Sequence, residues 1–190
     1  GGGGGGGGSG PRGKKLVLFG PVGGGKSAIY HQLRFGRVVP TVSSMMPSSA
    51  SFAPVGAGGA DGEPPREAHF VDVPGSGRLR AQLIEEASGA GALCCVIDGT
   101  QLAGQAREAA GMLCEVLSRE AVVRRQPPLL IAVNKQDCPG AVSTAAARKA
   151  IEQEVQRVRL ARTTMADTSG RSKQYRGIAD DASSEAFSFD

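Results

Sequence analysis

At 190 residues the chain has the length of a single domain and enough material to bury a sizeable core. An apolar fraction of 40% and a charged fraction of 21% are globular values, but 29 glycines against six Phe, two Tyr and no Trp leave the core to Ala, Val, Leu and Ile. That scarcity argues against base stacking and so against direct nucleic-acid reading, and the net charge of +4, scattered over Lys14-Lys15, Arg124-Arg125 and 157–162, reads as solvated faces.

The four cysteines, Cys94, Cys95, Cys114 and Cys138, lack metal-ligand spacing and suit a reducing compartment. No stretch reaches the ~20 apolar residues that cross a bilayer, so a membrane anchor is expected to lie outside this sequence.

Residues 1–13 are nearly all glycine and read as a flexible lead. A buried strand follows at 14–19, then a helix from Lys26 to Phe35, and an exposed Ser/Pro/Met loop over 37–51. A weak strand is expected around 51–55, a hairpin tip over 57–66 and a third strand at His69-Phe70-Val71-Asp72-Val73. Leu79, Leu83, Ile84 and Ala87 fall at helical spacing, and 92–97 is a fully buried strand. Ala106, Ala110, Leu113 and Leu117 mark the next helix, which Pro127-Pro128 should stop before a strand at Leu129. The last helix is expected over 143–162, with Ile151, Val155 and Val158 inward and Glu152, Glu154, Arg157 and Arg159 outward. Residues 14–162 thus form the ligand-binding domain, and 163–190 read as a largely disordered loop. Strands alternating with helices imply an α/β fold with a mostly parallel sheet covered on both faces and ligand loops at the strands' carboxyl ends.

Three loops carry chemistry. Gly20-Pro21-Val22-Gly23-Gly24-Gly25-Lys26-Ser27 follows the first strand and opens the first helix. Its glycines let consecutive backbone N–H groups, from Val22 through Ala28, face a phosphate, Lys26 reaches the β- and γ-phosphates, and Ser27 offers a hydroxyl to Mg²⁺. Asp72-Val73-Pro74-Gly75 ends the third strand, with Asp72 expected to face the metal through a water and the Gly75 N–H to meet a γ-phosphate oxygen. Asn134-Lys135-Gln136-Asp137 follows the last strand, where the Asp137 carboxylate can accept from both N1–H and the 2-amino group of guanine. Lys135 is expected along the purine and ribose face. GTP and Mg²⁺ are therefore the expected ligands. His31 and His69 lack catalytic neighbours, and no Ser-His-Asp set or paired acid and base occurs.

With these motifs in order, the chain resembles the Arf/Sar branch of the Ras-superfamily GTPases and, within it, the signal recognition particle receptor β-subunit family. Asp72-Val73-Pro74-Gly75 followed by Arg78-Leu79-Arg80, the Leu130-to-Asp137 run with the long helix after it, and Phe187-Ser188-Phe189 carry the likeness. The resemblance implies a P-loop GTPase fold and a GTP-binding regulatory subunit. In its GTP state that subunit docks the receptor's α subunit through its N-terminal domain. Ribosomes and signal recognition particle are then indirect partners, on the cytosolic face of the endoplasmic reticulum membrane. An Arf/Sar-like GTPase of vesicle traffic is the alternative. Thr41, with Ser43 as substitute, is implied as the switch contact to Mg²⁺. Ser76 occupies the water-positioning site where the family carries Gln or His, and Val22 stands where Ras-type enzymes keep Gly. Both departures imply slow or absent hydrolysis. The family's final strand, second guanine-loop motif and closing helix do not occur before Asp190, so one sheet edge is expected to lie open.

Overall fold

Alternation along the first strand builds two cores. Successive strand residues point to opposite faces, so Val17 and Phe19 join one apolar cluster and Leu18 joins the other. The computed structural model describes residues 15–37, 46–56, 66–169 and 187–189, with the side chains of 163–169 left aside. Thr41 and Ser43 lie outside the described residues, as do the 1–13 lead and most of the 57–66 tip.

Among the described residues five strands and five α-helices follow in chain order: β1 (Lys15–Phe19), α1 (Lys26–Phe35), β2 (Ser48–Phe52), β3 (Ala68–Asp72), α2 (Arg80–Ser88), β4 (Ala92–Asp98), α3 (Leu102–Leu117), α4 (Glu120–Arg125), β5 (Leu129–Asn134) and α5 (Thr144–Ser169). The sheet order is β2-β3-β1-β4-β5. All pairings are parallel except β2 with β3, which run antiparallel with Ala50 opposite Phe70 and Phe52 opposite Ala68. The expected α/β architecture, mostly parallel with helices on both faces, is the one observed.

Tyr30 of α1 packs on Leu18, Phe70, Cys94 and Val96 on one face. On the other, Leu83 of α2, Leu113 of α3, Val122 of α4 and Ile151 of α5 close over Val17, Phe19, Val71, Cys95 and Ile97. Burial pushes the thiols of Cys94 and Cys95 up to about 11 and about 12, so they act as small apolar side chains. Parallel strands buried on both faces are continuous apolar runs, as Leu93 to Ile97 are.

Four expectations need correction. The second strand lies at 48–52 rather than 51–55, because antiparallel pairing with β3 sets its register and stacks Phe52 on Phe70. The helix before Pro127 is two helices: α3 ends at Leu117, and α4 begins after Arg119 and closes at Gln126, which is left-handed with φ of 46°. The final helix runs seven residues past Arg162, to Ser169. Adding residues to a formed helix costs little, and no glycine interrupts this one before Gly170. Part of the segment taken as a disordered loop is thus helical. Arg159 is buried, 7% exposed, with its guanidinium 5.8 Å from the Phe187 ring.

The Phe187 and Phe189 rings pack against the main core, and their N–H groups donate to Gln156 and Glu152 of α5. Among the described residues β5 pairs with β4 alone. Beside it Leu129, Ile131 and Val133 line a groove of about 440 Å³ with Arg148 and Phe189. The groove belongs to the sheet edge, and the polar loops lie at the strands' carboxyl ends.

Candidate nucleotide-binding site

β1 runs into the glycine loop, and the loop runs into α1. Gly25, the residue before the helix, is left-handed with φ of 94°, and a Cβ there would sit 2.2 Å from Asn134 Nδ2. Glycine is required on both counts. The same Asn134 Nδ2 donates to the Gly24 carbonyl at 3.0 Å, so the loops after β1 and β5 touch across a separation of 110 residues.

Lys26 is buried, and its ammonium donates to the carbonyls of Gly20 at 3.0 Å and Pro21 at 2.7 Å. The amine thus folds back over the start of the loop. Burial lowers the Lys26 pKa, with Asp72 acting the other way. The Asp72 carboxyl is 1% exposed and raised, again through burial, against a hydrogen bond from Ser27 and the charge of Lys26. Both groups are charged only at a desolvation cost, which an anion beside Lys26 and a cation beside Asp72 would each offset.

Ser27 Oγ donates to Asp72 Oδ2 at 2.5 Å, while Asp72 Oδ1 is buried with no hydrogen-bond partner among the described residues. A hydroxyl and a carboxylate oxygen placed together, with one buried oxygen unsatisfied, suit a hard cation that takes its remaining ligands from water and phosphate. Among the described residues no cluster of three His, Cys, Asp or Glu forms an all-protein metal cage.

Pro74 and Gly75 are buried behind Asp72. A Cβ on Gly75 would lie 2.6 Å from the Gly20 carbonyl oxygen and 2.6 Å from the Val22 nitrogen. The loop after β3 is therefore pressed directly onto the glycine loop. Ser76 is partly buried and starts a single 3-10 turn, with its carbonyl accepting from the Leu79 N–H.

In the third loop Lys135 has φ of 61°, a conformation that costs a side-chain-bearing residue roughly 1–2 kcal/mol. An ion pair holds it there, Lys135 Nζ to Asp98 Oδ2 at 2.6 Å. Asp98 ends β4 at 1% exposure, and its other oxygen accepts from the Thr100 N–H and hydroxyl. Burial works against its charge, but the hydrogen bonds from Lys135 and Thr100 outweigh it and hold the carboxyl below its ordinary value. Asp137 sits in the exposed turn that follows, which closes through Cys138 N–H to the Lys135 carbonyl and is tied by Val142 N–H to the carbonyl of Gly99, the residue after β4.

The structure brings the loop of Gly20, Val22, Gly23, Gly24, Gly25, Lys26, Ser27 and Ala28 together with Asp72 and Gly75, and Asn134 touches it at Gly24, with Lys135 and Asp137 following Asn134 in the same turn. Sequence reasoning missed Asp98 and Gln105. The first had a signal, a lone carboxylate closing the apolar run of β4. Gln105 had none, since its contacts come from distant segments.

A phosphate loop at the tip of β1, an Asp-x-Pro-Gly loop packed on it and an Asn-Lys-Gln-Asp turn touching it from β5 place the chain in the class of P-loop GTPase folds. The family model for the signal recognition particle receptor beta subunit matches residues 12–190. The chain belongs to that family. A beta subunit of this receptor from Dictyostelium discoideum is 24% identical over 180 residues, 94% of this chain and 59% of the relative. The one from Mus musculus is 29% identical over 157 residues, 82% of this chain and 56% of the relative. The chain thus spans a little over half the length of the curated relatives it matches. Among solved structures, that of the mammalian signal recognition particle receptor superposes with a TM-score of 0.65 at 26% identity, covering 79% of this chain and 77% of that one. A signal recognition particle receptor SRb-GTP/SRX complex from Chaetomium thermophilum gives 0.63 at 22% identity, covering 85% of this chain and 86% of that one, a likeness of fold.

Proposed function

We propose that this chain is the GTP-binding regulatory subunit of a signal recognition particle receptor, docking the receptor's α subunit when GTP is bound. It would serve co-translational targeting of proteins to the endoplasmic reticulum from the cytosolic face, with ribosome and signal recognition particle as indirect partners. The observation that carries the reading is the Asn134-to-Gly24 hydrogen bond, which sets the base-reading loop against the phosphate loop. A molecule with a purine at one end and phosphates at the other matches that pair of loops.

In this reading the glycine-loop N–H groups and Lys26 bind the phosphates, and Asp137 selects guanine by accepting two hydrogen bonds that adenine does not offer. Ser27 and Asp72 hold Mg²⁺, assisted by Thr41. Bound Mg²⁺ supplies charge neutralisation at the phosphates and favours the ionised Asp72, against the effect of burial. Gly75 supplies a backbone N–H at the γ-phosphate end, so the loop after β3 differs in contacts between the di- and triphosphate states. That difference lets a partner distinguish them. Ser76 is too short to reach an attacking water as a Gln or His does, which makes the bound triphosphate long-lived. No described helix is long and apolar enough to cross a membrane.

The test is calorimetric titration of the full chain, loaded with GTP or GDP, with the N-terminal domain of the α subunit. Binding at least tenfold tighter with GTP supports the proposal, and equal binding in both states contradicts it.

A further inference from the structure

We propose that Gln105 is a positioning residue that fixes the phosphate loop from behind and couples it to the guanine-reading loop. Its side chain, 9% exposed on the first turn of α3, makes two hydrogen bonds in opposite senses. Nε2 donates to the Val22 carbonyl at 2.9 Å, and Oε1 accepts from the Asp98 N–H at 3.2 Å. Asp98 in turn holds Lys135 through the 2.6 Å ion pair. An unbroken chain of polar contacts therefore runs from Val22 through Gln105 and Asp98 to Lys135.

The chemistry of the position is narrow. A carbonyl can only accept and a backbone N–H can only donate, so the bridging side chain must do both at once. A carboxylate lacks the donor, and Lys or Arg lacks the acceptor. The Val22 carbonyl turned back toward α3 leaves the Gly23 N–H, anti to it across the same peptide, facing the other way, where this reading of the protein puts the phosphates. Positioning is reciprocal. Ordering either loop stabilises the tie, and the tie favours order in the other loop. This inference rests on the nucleotide-binding function proposed above.

Two substitutions separate positioning from the bare need to satisfy the Asp98 N–H. Gln105→Glu keeps the acceptor for that N–H and removes the donor to Val22. Gln105→Met keeps the shape and removes both. In the full chain loaded with a fluorescent GDP, each variant should release nucleotide about five- to fiftyfold faster, the effect of one unsatisfied buried carbonyl. In nucleotide-free protein, the amides of residues 22–26 should exchange hydrogen faster in both. Combining Gln105→Met with Lys135→Ala should accelerate release by less than the product of the single effects, because both break the same chain of contacts.

Release within twofold of the parent for both variants, with unchanged amide exchange, would overturn the positioning role. A wild-type rate for Gln105→Glu alone would reduce Gln105 to satisfying Asp98, and multiplicative effects with Lys135→Ala would remove the coupling. Failure of the parent chain to retain GDP or GTP at all is the separate result that sinks the functional proposal, and amide exchange still reads the tie in that case.

Discussion

Replacing Gly75 by Ala tests the packing of one loop on another with a single methyl group. The added Cβ would meet the Gly20 oxygen and the Val22 nitrogen at 2.6 Å and the Pro21 carbonyl carbon at 2.7 Å, about 0.8 Å inside ordinary van der Waals contact. All three are backbone atoms, so no side chain can swing aside. The glycine loop is itself held by Lys26 at the Gly20 and Pro21 carbonyls and by Gln105 at Val22. Overpacking of this kind costs about 1–3 kcal/mol. If the fold absorbs the strain, the melting midpoint of a domain this size should fall by roughly 2–12 °C. If the loop moves instead, the midpoint holds and affinity for GDP and GTP should fall by about five- to a hundredfold. Gly77→Ala is the control, since a Cβ there meets nothing within 4 Å, and it should stay within about 0.5 kcal/mol of the parent. Differential scanning fluorimetry and fluorescent-nucleotide titration read the two outcomes. A Gly75→Ala variant matching the Gly77→Ala control in both would refute the close approach of these loops.

Lys26→Ala should abolish co-purification of nucleotide, read by mass spectrometry, and with it GTP-dependent docking of the α subunit. Docking that survives loss of nucleotide would separate the two. Asp98→Asn probes the Lys135 tie through pH. The folded carboxyl lies below its ordinary value, so its ionised form stabilises the fold above the unfolded-state pKa of about 3.9, and that contribution disappears as pH falls through the lower folded value. The variant should therefore melt below the parent at pH 7, with the gap closing in acid. A gap that is constant from pH 7 to pH 3 would contradict the assignment.

The parallel sheet and the three loops were legible because each signal is local: an apolar run, then a short motif whose residue types the chemistry dictates. Lys26, Ser27 and Asp72 could be read together for that reason. What was misplaced depends on distant partners. The register of β2 comes from Phe52 meeting Phe70, and the burial of Arg159 comes from Phe187, 28 positions along the chain. Gln105 reads as an ordinary polar helix residue until the fold brings Val22 to it, a contact spanning 83 residues. The break between α3 and α4 is a local event, but Ser118 and Arg119 are weaker stop signals than the prolines after them. Thr41 depends on a segment outside the described residues.

The most direct measurement of the central claim is nucleotide preference by competition titration, for the parent chain and for Asp137→Asn. Two loops reading one guanine nucleotide predict that the parent prefers GDP over ADP and XDP by orders of magnitude. The amide in the variant should turn that preference toward XDP, whose 2-oxo group accepts where the amino group donated. Equal affinity of the parent for ADP and GDP, or an Asp137→Asn variant that still selects guanine, would contradict it.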